Sequence, residues 1–267
     1  NTMLQNIGKH RVLWLSAALL SLAAATVGVA NPSIYDEVVS KDIMPGVFSQ
    51  DLFTLGASLA ALLLAFRTGE RDTLRQIAAL GIMGYLFYGY GIYVIEQVYT
   101  ALYFAYLAVF GLASYAIVFF LADVYRENLP KVRLPHSIRM AAVVFLLLNA
   151  VMFSIIWTSQ LLPLIQSADR IDYLYSIYIL DLCFIMPAFV VVAAMAVKKQ
   201  ALGLLLTPAL LVTGSTVLAP LALAEALKPP LYDLAMDTAS LGLFLALSIT
   251  FLALAALYFW KIEIKPE

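Results

Sequence analysis

The chain of 267 residues contains one cysteine, Cys183, and two histidines, His10 and His136. A lone thiol excludes an internal disulfide and any cysteine cluster, so Cys183 reads as a packing residue. The two imidazoles each sit near basic residues just ahead of an apolar run. They supply no ligand set for an intramembrane haem or for a zinc or copper site, and no cofactor is expected. Charge is equally scarce. Asp, Glu, Lys and Arg make up 12% of the residues against 63% hydrophobic ones, and the mean hydropathy is +0.93. A soluble domain carries roughly 25% charged residues, so these proportions exclude one and indicate a polytopic membrane protein whose first partner is the lipid bilayer. No phosphate-binding loop, dinucleotide fingerprint, nucleophile elbow or metal-protease helix occurs either. The connections are too short to hold a domain for ATP or nucleic acid, and no nucleic-acid partner is expected.

What the chain has instead is long apolar runs. Eight can be read, at 12–30, 44–66, 77–95, 99–125, 138–156, 173–197, 202–224 and 238–260. Each is close to the roughly 20 residues that a hydrocarbon layer about 30 Å thick requires of a helix. No alternating barrel pattern appears, so all eight are expected to be helices that satisfy their own backbone. Lys9, Arg11, Arg67, Arg71, Arg75, Arg126, Lys131, Arg133, Arg139, Lys198, Lys199, Lys261 and Lys265 fall at one end of these spans, 13 of the 16 cations, leaving Lys41, Arg170 and Lys228 at the other. The positive-inside rule then places both termini in the cytoplasm. The expected fold is an all-α membrane protein of eight transmembrane helices forming one membrane domain over 1–267. Two local readings stay open. The second span starts near Met44 with Pro45 in its first turn, or at Asp51 as an N-cap. The first run also has the layout of a cleaved signal, with Lys9-His10-Arg11 ahead of it and small residues at its end.

An internal repeat of two parallel four-helix units, 9–127 and 135–261, is expected from shared landmarks. Each half opens with a histidine near a basic residue (His10 and Arg11; His136 and Arg139). An acidic, aromatic connection follows (Tyr35-Asp36-Glu37; Asp169 to Tyr173), then an Asp-Leu pair (Asp51-Leu52; Asp181-Leu182) and a basic hairpin. The third span ends in a glutamate, Glu96 or Glu225, and the fourth begins with Thr-Ala. Such units would be related by a pseudo-two-fold axis along the membrane normal, a symmetry found in transporters.

The two repeated aspartates are the first site candidates. A central Asp costs about 2.5–3.5 kcal/mol on insertion scales, so it normally faces a bundle interior or a watery cavity. Asp36, Glu37, Asp42, Asp51, Glu96, Asp169, Asp172, Asp181, Glu225, Asp233 and Asp237 place 11 of 17 acids at the cation-poor end. Twelve of 15 tyrosines fall there too, among them Tyr85, Tyr88, Tyr106 and Tyr178. A belt at the membrane interface accounts for those at helix ends. Tyr85 and Tyr106 lie too deep for that, and the spacing of Tyr99, Tyr103 and Tyr106 reads as one helical face. The stripes fit either ordinary packing or a cavity lined with hydroxyls and π faces. Asp51, Asp181, Tyr85, Tyr88, Tyr106, Tyr178, Glu96 and Glu225 are the expected ligand- or cation-binding residues. Pro187, Pro208 and Pro220 suggest kinks in the second half, and Asn149 reads as a helix-contact residue.

Gln50-Asp51-Leu52 near the start of the second span and Tyr88-Gly89-Tyr90-Gly91-Ile92-Tyr93 in the third resemble motifs of uncharacterised bacterial multi-span membrane proteins. The resemblance covers 50–106 and implies a bacterial cytoplasmic membrane but no activity. Three functions are compatible with the residues. The leading one is a small secondary transporter or ion-conducting protein with an outward-facing acidic, tyrosine-lined pocket for a small cation, a proton or an amine. The second is a non-catalytic subunit or ligand-binding module beside a protein partner. A membrane-embedded hydrolase or isomerase is the third, although nothing pairs a nucleophile with a base.

Overall fold

The computed structural model describes residues 3, 4, 6–126, 129–171 and 174–265. Its elements run α1 (Ile7–Ala30), a 3-10 turn (Pro32–Tyr35), α2 (Met44–Arg67), α3 (Thr73–Ile95), α4 (Tyr103–Arg126), β1 (Lys131–Arg133) and α5 (His136–Ser167). There follow α6 (Tyr175–Leu180), a π-helical turn (Asp181–Ile185), α7 (Met186–Val197), α8 (Ala201–Leu227), a second π turn (Lys228–Tyr232), α9 (Thr238–Lys261) and β2 (Glu263–Lys265). With α6 to α7 counted as one span, eight helices are long and apolar enough to cross a membrane, and the chain is a multi-pass membrane protein. The α1–α2, α3–α4, α5–α6 and α8–α9 connections make up the acidic end, and the other three the basic end.

Helices gain no hydrophobic drive toward each other in lipid, so small residues and interhelical hydrogen bonds decide which ones pack closely. α3 and α8 are the central pair. In their most apolar stretches 72% and 67% of residues are buried, against 17–39% in the other six spans. Gly81 sets their approach, because a Cβ there would stand 2.9 Å from the Ala209 carbonyl oxygen of α8. The Thr213 hydroxyl donates back to the Gly81 carbonyl at 2.9 Å. Around this pair α1 packs on α2 and α4, α3 on α4, α5 on α7, α7 on α8, and α8 on α9. The first four spans meet the last four along α2, α3 and α8, where the Ser49 hydroxyl donates to the Pro220 carbonyl at 2.8 Å.

At the basic end Asp123 of α4 accepts from Lys9 at 2.6 Å and from the buried His10 at 2.8 Å. Nearby β1 pairs antiparallel with β2, Val132 opposite Ile264. These contacts bring the first turn of α1 and the strand after α9 beside the α4–α5 connection.

Several expectations change at this level. The second span starts at Met44, so Asp51 lies inside a helix and caps nothing. The fourth starts at Tyr103, which leaves Tyr99 in the preceding connection, 61% exposed, and breaks the expected stripe of three tyrosines. Cys183 is exposed rather than packed inside the bundle. α5 runs on to Ser167 through Pro163. Asp172 and Tyr173 of the expected acidic connection, and the repeat boundary at Glu127, lie outside the described residues.

Candidate functional site

The eight expected site residues fall into three groups, of which the first is closed around Asp51. Asp51 is 2% exposed and each of its oxygens accepts one phenol, Oδ2 from Tyr35 at 2.6 Å and Oδ1 from Tyr93 at 2.9 Å. Hydrogen bonds to a charged group are worth about 1.5–3 kcal/mol each, enough for two to offset the cost of placing the carboxylate there. Each hydroxyl has one proton, which orders the next links. With Tyr35 donating to Asp51, the Tyr106 hydroxyl at 3.3 Å donates to Tyr35, and the Thr100 hydroxyl donates to Tyr106 at 3.1 Å. Burial, reinforced by the Asp51 charge, holds the Tyr35 phenol far above its ordinary pKa, so it stays a donor. Gly28 of α1 admits the cluster, since any Cβ there would overlap the Asp51 carboxylate and the Tyr35 hydroxyl. Tyr90 completes the packing by donating to the Ser21 carbonyl at 3.1 Å.

Asp181 has a different setting. Pro187 has no N–H to donate to the carbonyl of Cys183, and its ring crowds that oxygen. The chain accommodates it with a π turn over Asp181–Ile185, in which the Met186 N–H reaches back five residues to the Asp181 carbonyl. Such single-turn widenings re-aim side chains and are frequent at functional sites. Here Asp181, 6% exposed, stands on the wall of a cavity of about 310 Å³ between α2 and α3 on one side and α5, α7, α8 and α9 on the other. Trp157 Nε1 donates to Asp181 Oδ2 at 2.7 Å, and Tyr88 faces the same carboxylate from α3. No cation pairs with Asp181 among the described residues.

The rest of the lining is chiefly apolar, with Phe153, Phe189 and Phe251 among it. Tyr85 also reaches the wall, but its hydroxyl is engaged with Thr54 at 2.7 Å and the Gln50 carbonyl at 3.2 Å. Asn149 is the other polar group of note. Its Nδ2 donates to the Phe145 carbonyl at 2.8 Å, while its Oδ1 is buried without a partner among the described residues. Turning the amide round would set two oxygens face to face, so the free atom is the acceptor. Leaving such a group unpaired costs about 1–3 kcal/mol.

The remaining three residues lie apart. Glu96 closes the start of α6 by accepting from the Ser176 N–H at 2.7 Å and from the Ser176 hydroxyl at 2.5 Å. Tyr178 stacks edge-on against Trp157 and donates to Gln160 at 2.9 Å, so it supports the indole that holds Asp181. Glu225 pairs with Lys228 at 2.6 Å and accepts from the Asp237 N–H at 3.1 Å. Asp237 in turn caps α9, and the Ser240 hydroxyl holds its carboxyl below the ordinary value.

The structure thus unites Asp181, Tyr85 and Tyr88 at one cavity, places Asp51 and Tyr106 in a separate network, and leaves Glu96, Tyr178 and Glu225 at the acidic end. Trp157 and the phenylalanine walls escaped sequence reasoning, and Asn149 reads there only as a helix-contact residue. Trp157 carried one usable signal, since a buried indole N–H requires an acceptor. No group of three or more His, Cys, Asp or Glu positioned to hold a metal occurs among the described residues. Compared with known proteins, the chain matches no family model, no curated sequence and no solved structure.

Proposed function

We propose that the chain is a small secondary transporter of the bacterial cytoplasmic membrane, with a binding site for a cation or amine in the Asp181 cavity. The observation that carries this reading is a carboxylate without a counter-ion among the described residues, buried on the wall of a cavity between the first and last four spans. Transport folds built from parallel repeats place substrate at that kind of interface, near the middle of the membrane. Part of the packing order supports the repeat, although α1 packs closely on α4 while the corresponding α5 meets α9 only slightly. α1 with α2 corresponds to α5 with α6–α7, α3 with α4 corresponds to α8 with α9, and the contact of α3 with α8 pairs equivalent helices across the axis. On this reading both termini are cytoplasmic and the acidic end faces outward, where its charge concentrates cations and repels anions. Pro187 and the π turn give the carboxylate-bearing helix a weak point at which it can bend. Purified protein in liposomes should take up an organic amine against a counter-gradient of the same amine, and Asp181→Asn should abolish the uptake. Uptake by the mutant at the wild-type rate, or none by the wild type toward amines or alkali cations, would refute the transporter.

A further inference from the structure

We infer that the cavity takes an elongated organic amine, with its ammonium group at Asp181, an apolar or aromatic body between the phenylalanines, and a second hydrogen-bond donor at Asn149. The inference rests on the transporter reading only for the direction of travel; the site itself is argued from its walls. Asp181 supplies negative charge and no cation opposes it among the described residues, so an anionic ligand is excluded. A bare alkali or alkaline-earth ion wants about six oxygens around it. The cavity offers one carboxylate in a chiefly apolar lining instead. An ammonium needs fewer partners: one carboxylate, beside which Trp157 and Tyr88 already stand.

The far end follows from Asn149. Asn149 is 2% exposed and on the lining of this same cavity, and its Oδ1 is a buried acceptor unpartnered among the described residues. Asn149 precedes Trp157 by eight positions on α5, an axial offset of about 12 Å at 1.5 Å per residue. Phe153 lies on α5 between them, and Phe189 and Phe251 face it from α7 and α9. The lining therefore has acceptors at two levels, Asp181 and Asn149, with the phenylalanines between them and Gln50 and Thr213 as further polar side chains on the wall. A volume of about 310 Å³ lies at the small end of ligand pockets, which fits a single ring with a short chain. A phenol carrying an aminoethyl arm has all three parts.

Binding to the full chain in detergent can be read by calorimetry with four probes: tyramine, phenethylamine, p-cresol and sodium ion. Tyramine should bind most tightly, phenethylamine about tenfold more weakly for want of the second donor, and p-cresol and sodium not measurably. Asn149→Leu should bring tyramine to the level of phenethylamine and leave phenethylamine unchanged. Asp181→Asn should weaken both amines by at least about a hundredfold. Unliganded melting temperatures identify any variant that has failed to fold. Phe153→Trp, which shortens the apolar middle, then gives an independent check, because it should weaken both amines even when Asp181→Asn is unstable. Sodium binding, equal binding of tyramine and phenethylamine, or amine binding indifferent to Asp181→Asn would overturn the inference. Amine binding without uptake in liposomes would leave the site standing and remove the transporter.

Discussion

Two buried carboxylates in one membrane protein differ in what satisfies them. Asp51 has a phenol on each oxygen and lies within a closed tyrosine cluster, whereas Asp181 has the Trp157 indole, the Tyr88 phenol facing it and an open cavity beside it. Asp51→Asn should therefore cost stability, since an amide Nδ2 replaces one acceptor and either leaves Tyr35 facing a donor or forces Tyr93 to turn its proton to the Val47 carbonyl 3.2 Å away. The loss expected is about 1–3 kcal/mol, measured by unfolding in detergent, with tyramine binding unchanged. Asp181→Asn should show the opposite pattern, with nearly wild-type stability because the amide oxygen still accepts from Trp157. Sequence identified both residues through the cost of an intramembrane carboxylate, but it could not tell them apart. The difference lies in Tyr35, from the α1–α2 connection, and in Gly28, whose missing side chain leaves room for the cluster. Neither is visible in the periodicity of α2.

Proline marks the element that matters most. Pro208 and Pro220 lie within α8 without ending it, while Pro187 is preceded by the π turn that carries Asp181. All three read alike in sequence as kink sites, because the local rule is the same and only neighbouring helices decide how the freed carbonyls are accommodated. Pro187 is exposed, so replacing it opens no cavity. Pro187→Ala should allow a regular ladder through 181–187 and swing Asp181 away from the cavity by up to about 100°, the angle per residue of an α-helix. Tyramine affinity should fall by at least about tenfold with the melting temperature preserved or raised. Calorimetry on the variant checks this, and unchanged affinity would mean that the turn does not aim the carboxylate. Element boundaries were legible where caps or charges stand at the ends. They failed at Tyr99, where an aromatic at the interface looked like the first turn of a helix, and at Ile156, where α5 continues past the apolar run to Ser167.

At the scale of the whole molecule, eight apolar helices and the segregation of charge were legible in the sequence because each depends on composition alone. The cavity was not, because it arises where α2, α3, α5, α7, α8 and α9 fail to fill the space among them. The division of cations, 13 to 3, makes orientation testable. Cysteines placed at Lys41, Asp169 and Asp233 should react with an impermeant maleimide from outside intact cells, and ones at Gly69, Lys131 and Lys265 should not. The reverse labelling would put the acidic end in the cytoplasm and turn the proposed site inward. The most direct measurement for the account as a whole is an experimentally determined structure of the wild-type protein with tyramine at saturating concentration. The account predicts one ordered molecule in the cavity, its nitrogen within about 3 Å of an Asp181 oxygen and its hydroxyl directed at Asn149 Oδ1. A cavity filled by a lipid chain or by water alone, with Asp181 unengaged, would contradict it.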